Sequence, residues 1–161
     1  MSHTLHHYNL TASAIAWAAM LLLSAVSAAL SKDANVANSN DAARLVEQLS
    51  NDDIDWDHRN WSTVMPRIEG KTAKSILALG PKSKPALLKA MDDPKKFAAA
   101  HVLLSSIHKS NFPVVQSIFT NDAIIACYNH MRIDFSATSI NFHPKQRAGL
   151  KRFWKHELDG S

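Results

Sequence analysis

The chain has a single cysteine, Cys127, so no disulfide can close within it and no multi-cysteine zinc site can form. Cys127 lies in the apolar run Ala123-Ile124-Ile125-Ala126-Cys127-Tyr128, where a thiol is expected to pack in the core as a small hydrophobe rather than serve as a nucleophile. Glycine is scarce as well. Four glycines in 161 residues leave little with which to build a backbone cradle for phosphates, and no G-x-S-x-G elbow or close Cys-His arrangement is present. Glutamate is limited to Glu47, Glu69 and Glu157, none in an apolar setting that would raise its pKa for acid catalysis. These absences move the expectation from chemistry towards binding, with no catalytic residue, no metal and no cofactor expected.

Charge is missing from one end. No Lys, Arg, Asp or Glu precedes Lys32, and Leu10–Leu30 reads as twenty-one uncharged residues, close to the roughly 20 that a helix needs to cross a bilayer. Two readings lead: a retained single-pass anchor, or a signal peptide with small residues at Val26-Ser27-Ala28 and cleavage after Ala28. A buried apolar helix is the third. Either leading reading places the chain at or beyond a membrane. The expected organisation is residues 1–30 as hydrophobic segment, 31–40 as linker and 41–161 as helical domain.

Beyond that segment the composition is that of a folded protein, with 46% hydrophobic residues overall. The net charge of +4 is unevenly spread. Asp33 to Asp57 is mostly acidic, whereas Lys71 to Lys109 carries eight lysines and two aspartates. Such a field attracts anionic surfaces, but arginines interleaved with aromatics are missing, so nucleic acid is not an expected partner.

Helix signals recur along the domain. Ser39 or Asn40 can cap a helix in which Ala42, Leu45, Val46 and Leu49 share a face. Asn51 to Asn60 reads as a solvated acidic loop with Trp56 and Trp61 reaching back to the body. Its alternating Asp53, Asp55 and Asp57 imitate the opening of a calcium loop, but His58 and Val64 stand where that loop needs Gly and Glu. Thr72 to Leu79 predicts a helix ended by Gly80 and Pro81. Ser83 to Met91 predicts a second, and Pro94 to Ile107 a third, capped by Asp93, with Ala99, Leu103 and Ile107 in register.

This stretch, LALGPKSKPALLKAMDDPKKFAAAHVLLSSI, resembles a HEAT-like helical repeat across about residues 78–107, through Leu79-Gly80, Leu87-Leu88, Asp93, Lys96, Ala99 and Leu103. Lys96 stands where the family has arginine, and there is no second clean copy. The resemblance implies antiparallel helical hairpins and a protein-binding role. Ala42 to Leu49 and Phe112 to Tyr128 are candidate degenerate neighbouring helices, with Asn121 or Asp122 capping a helix through Tyr128. Met131 to Phe135 and Ile140 to Phe142 alternate at period two and predict a small β-hairpin. Pro144 to Leu158 predicts a basic amphipathic helix with Leu150, Phe153, Trp154 and Leu158 inward.

The expected fold is therefore mainly all-α, with HEAT-like hairpins and a small β-hairpin before the C-terminal helix. The expected function is a non-catalytic scaffold or protein-binding module at or beyond a membrane. Lys82, Lys84, Lys95 and Lys96 would orient the partner protein. One alternative is a module that contacts an anionic membrane surface through its C-terminal helix. The other is an enzyme with a pocket near the 130–143 hairpin, where His130, Asp134 and His143 would converge. His101, on the alanine-rich helix, is expected to be hydrogen-bonded in the core or to lie on the helix surface.

Overall fold

Residues 40–47 form the first helix, α1, of a computed structural model that describes residues 40–57, 65–108, 116–119, 124–136 and 138–160. Two short strands follow, β1 (Ile54–Asp57) and β2 (Met65–Ile68), then the helices α2 (Lys71–Leu79), α3 (Lys84–Ala90) and α4 (Phe97–His108). Four more strands, β3 (Gln116–Phe119), β4 (Ile124–Tyr128), β5 (Met131–Phe135) and β6 (Ile140–Phe142), lead to the last helix, α5 (Arg147–Asp159). All of these elements belong to the unit Ser39–Ser161. The protein is mainly helical, with small antiparallel strands beside the C-terminal helix.

The helical section follows its sequence signals closely. α2 ends at Gly80, whose backbone (φ 60°, ψ −137°) is one that a side chain would strain. Pro81 then starts a 3-10 turn, Gly80–Ser83, in which the Ser83 hydroxyl donates to the Gly80 carbonyl at 2.7 Å. α3 and α4 make the expected antiparallel hairpin. Its turn spans Met91 to Lys96, where the Asp93 carboxylate accepts from the Lys95 N–H at 2.8 Å and its carbonyl from Lys96 and Phe97.

α4 is the axis of the fold. Every residue from Phe97 to Ser105 is buried, as befits a helix apolar all round. Its first turn is capped from a distance: the Asn51 side-chain carbonyl accepts from the N–H groups of both Ala98 (3.0 Å) and Ala99 (3.2 Å), while its amide donates to the Pro94 carbonyl at 3.0 Å. Asn51→Ala removes this cap and is expected to lower the unfolding free energy by about 2 kcal/mol. A urea midpoint that falls at unchanged slope would register it. A loss below about 0.5 kcal/mol would mean that water replaces the cap.

Three stretches depart from the sequence reading. The acidic stretch is a 3-10 turn, Asn51–Asp53, followed by β1, which pairs antiparallel with β2 from Ile54↔Ile68 to Asp57↔Met65. Ile54 and Trp56 point inward while Asp55 points out, so a period of two is hidden among the aspartates. Gly70 lies so close to this turn that a Cβ there would sit 1.7 Å from Asp53 Oδ1. Trp56 does reach the body, packing on Tyr128, Phe135 and Phe142; Trp61 lies outside the described residues.

The expected helix ending at Tyr128 is instead β4. Ile124 and Ala126 are buried and Cys127 is exposed, so Cys127 is not a core residue as expected. A short apolar run suits either helix or strand until its neighbours decide, and here β3 and β5 pair on both sides to give the antiparallel order β3-β4-β5-β6. The expected pairing of Met131–Phe135 with Ile140–Phe142 is present as β5–β6, within a four-stranded sheet rather than a lone hairpin. That sheet stands where a second helical repeat would, so one hairpin rather than a HEAT array is what the described residues contain.

The expected transmembrane helix is also corrected, together with the membrane-anchored or exported placement that rested on it. Among the described residues no helix is long and apolar enough to cross a membrane; α5, with 13 residues, falls short of the roughly 20 required. The segment Leu10–Leu30 lies outside the described residues.

Candidate functional site

The β4–β5 connection is a two-residue turn in which Asn129 (φ 43°) and His130 (φ 69°) both adopt left-handed backbone, the geometry that matches strand twist in tight hairpins. Asn129 is buried, and its amide donates to the Ser105 hydroxyl at 3.0 Å. Ser105 donates in turn to the His101 carbonyl at 2.8 Å. The turn is thereby tied to α4.

His101 is fully buried beside it. Its Nδ1 accepts from the Trp154 indole N–H at 2.9 Å, which leaves the ring proton on Nε2 to donate to the Tyr128 carbonyl at 3.2 Å. One imidazole therefore joins α4, α5 and the sheet. Burial drives its pKa from 6.5 down to about 4, opposed by hydrogen bonding to the backbone of Tyr128 and Asn129 and reinforced by the charge of His130. Burial likewise pushes the Tyr128 phenol up, against a hydrogen bond with Ser105. A neutral histidine with both nitrogens engaged and no route to solvent is a structural keystone rather than a proton carrier.

The exposed ionisable cluster is on the outer face of the sheet. The Asp134 carboxylate takes the Arg132 guanidinium at 2.9 Å and His143 Nε2 at 2.7 Å. Arg132 is the main reason its carboxyl is held below the usual range, and His143 adds to the effect. Asp134 and His143 thus meet, as a convergent site requires, but His130 does not join them: its ring packs on Phe153 at 4.9 Å. Asp134 thus holds Arg132 and orients the His143 ring at the same time. Neither residue lines the cleft beside α5 or the one between α1 and α3. Among the described residues, no group of three or more His, Cys, Asp or Glu side chains is placed to hold a metal ion.

Of the four lysines singled out, Lys82 and Lys95 are exposed, whereas the other two are engaged internally. Lys84 Nζ lies 3.4 Å from His108 Nδ1. Lys96 Nζ donates to the Glu47 carbonyl at 2.7 Å, joining the end of α1 to the α3–α4 turn, with Asp93 at 3.9 Å. Lys96 closes one end of a trough of about 300 Å³ between α1 and α3. It is lined by Ala43, Val46, Ala86 and Ala90 together with the charged residues Glu47, Lys89, Asp93 and Lys96. Neither the Glu47 carboxylate nor Lys89 has an ion-pair partner among the described residues.

No protein-family model, curated protein or solved structure matches the chain.

The residues missed by sequence reasoning are those whose roles are long-range. Lys89 is one lysine among many in the sequence, and nothing local marks Ala43, Ala86 and Ala90 as neighbours. Trp154 was placed correctly on the inner stripe of α5, but its indole N–H has a partner 53 positions away that no local pattern signals.

Proposed function

We propose that this chain is a non-catalytic helical scaffold that binds another protein along the trough between α1 and α3. The observation that carries the reading is the trough's make-up: small apolar side chains together with unpaired charges of opposite sign. Alanines let a partner's backbone come close, so apolar area is buried at about 25 cal/mol per Å², while Glu47 and Lys89 fix register and reject wrongly charged sequences. The partner segment that fits is an amphipathic helix with small or apolar residues towards the trough and one charge of each sign at its flanks. Lys82 and Lys95 add positive charge nearby in sequence that speeds encounter with an acidic surface.

A photo-crosslinking residue placed at Ala86 in the full-length chain, expressed in its own host, tests this. A discrete protein adduct is expected, lost when Ala43→Arg fills the exposed side of the trough. If the chain is folded by circular dichroism and yields no adduct, or yields one that Ala43→Arg leaves unchanged, the trough is not the binding face.

A further inference from the structure

A second cleft, sharing no lining residue with the trough, lies between the β4–β5 turn and α5. It is an open cleft of about 380 Å³ lined by residues that include His130, Lys145, Gly149, Arg152 and Phe153, a size within the range of small-molecule sites. Three observations set it apart from an ordinary basic helix face.

The first is His130. In a two-residue turn with left-handed backbone the second central position favours glycine, yet this chain places histidine there at φ 69° and holds its ring against Phe153 at 4.9 Å. A locally unfavourable residue kept at a cleft wall is the kind of exception that functional sites make. The second is the division of labour among the cations. Arg147 bonds the Asp92 carbonyl and Lys151 the Asp92 carboxylate, fastening α5 to the α3–α4 turn. Lys145 and Arg152 have no ion-pair partner among the described residues, and the cleft lining contains no carboxylate. The third is the space at Gly149. Nothing lies within 4 Å of where a Cβ on Gly149 would stand, so no side chain fills the cleft at that lining position. Gln146 braces the lip by exchanging two 2.8 Å hydrogen bonds with the Arg132 backbone.

We propose that this cleft binds a small organic phosphate. Lys145 and Arg152 line the cleft with Gly149 and take the phosphate oxygens, Arg152 through its planar fork. His130 supplies a further ring nitrogen, and the His130–Phe153 pair offers an aromatic wall for the carbon portion of the ligand.

The test is calorimetric titration of the full-length chain, at constant ionic strength, with inorganic phosphate, with phenyl phosphate, and with phenol as the control that lacks the anion. Phenyl phosphate is expected to bind and phenol not to. Arg152→Gln and Lys145→Gln are each expected to weaken binding about tenfold. His130→Gly, which relieves the turn, is expected to weaken binding while the melting midpoint holds or rises, an outcome that a purely structural His130–Phe153 contact would reverse. Co-sedimentation with vesicles of phosphatidylcholine with or without phosphatidic acid separates the sources. Phosphatidic acid-dependent capture abolished by Arg152→Gln, without capture of phenyl phosphate, assigns the same phosphate chemistry to a lipid headgroup. Absence of phosphate binding in the millimolar range and on vesicles overturns the proposal, as does binding that is indifferent to both Arg152→Gln and Lys145→Gln.

Discussion

His101→Leu is expected to lower the unfolding free energy at neutral pH by about 3–5 kcal/mol. The side chain that is lost is the acceptor for the Trp154 indole N–H and the donor to the Tyr128 carbonyl. Leucine fills most of the space but can do neither, so two hydrogen bonds are lost at a fully buried position. The three elements joined at His101 would loosen together, with the near-ultraviolet circular dichroism of Trp154 changing alongside the urea midpoint. His101→Gln, which retains one donor and one acceptor, is expected to lose less, about 1–2 kcal/mol. Equal losses in the two variants would show that packing, not hydrogen bonding, gives His101 its weight.

The second large effect is a loss of stability in mild acid. The folded-state pKa of His101 is about 4 against an ordinary 6.5. Above pH 6.5 the imidazole is neutral in folded and unfolded chains alike, and its contribution is complete. As the pH falls below that value the unfolded chain binds a proton that the folded chain refuses. Stability therefore declines by about 1.4 kcal/mol per pH unit, in total about 3 kcal/mol, and levels off below the folded pKa. Asp134 acts lower: its depressed carboxyl adds stability above the ordinary value of 3.8 that is lost as the pH falls through the folded one. The two windows are therefore separable. Urea unfolding at half-unit steps from pH 7.5 to pH 4 would measure the slope, and subtracting the same series for His101→Gln isolates this residue from the other histidines. A difference curve flat across the interval would mean that His101 takes up its proton in the folded and unfolded chains at the same pH, and so is not held neutral by burial.

The legibility of this fold was uneven for identifiable reasons. α2, α3, α4 and α5 were readable because helix ends and faces are local: Gly80 and Pro81 stop α2, Asp93 organises the start of α4, and Leu150 and Trp154 recur on one face of α5. The β5–β6 pairing was readable because Met131, Ile133 and Phe135 alternate with polar residues. β1 and β4 were not, one because aspartates masked its alternation and the other because Ile124 to Tyr128 is nearly continuous in apolar character. The HEAT-like resemblance captured the α3–α4 hairpin and no more, since the chain after α4 continues as the strands β3 to β6 instead of a second helical pair. Of the candidate site, Asp134 and His143 were correctly brought together and His130 was not, because His130 occupies the opposite end of β5 from Asp134's contact with His143.

Sequence periodicity and end signals were sufficient for a mainly helical domain with its inner faces assigned, because those properties depend on residues a few positions apart. Tertiary structure alone decided that Asn51 caps a helix 47 residues away, that His101 is neutral, and that the alanines of α1 and α3 and the cations at the start of α5 border clefts. Hydrogen-bond partners, desolvation and concave surfaces are created only when distant segments pack, and the residues that form them carry no mark of it beforehand.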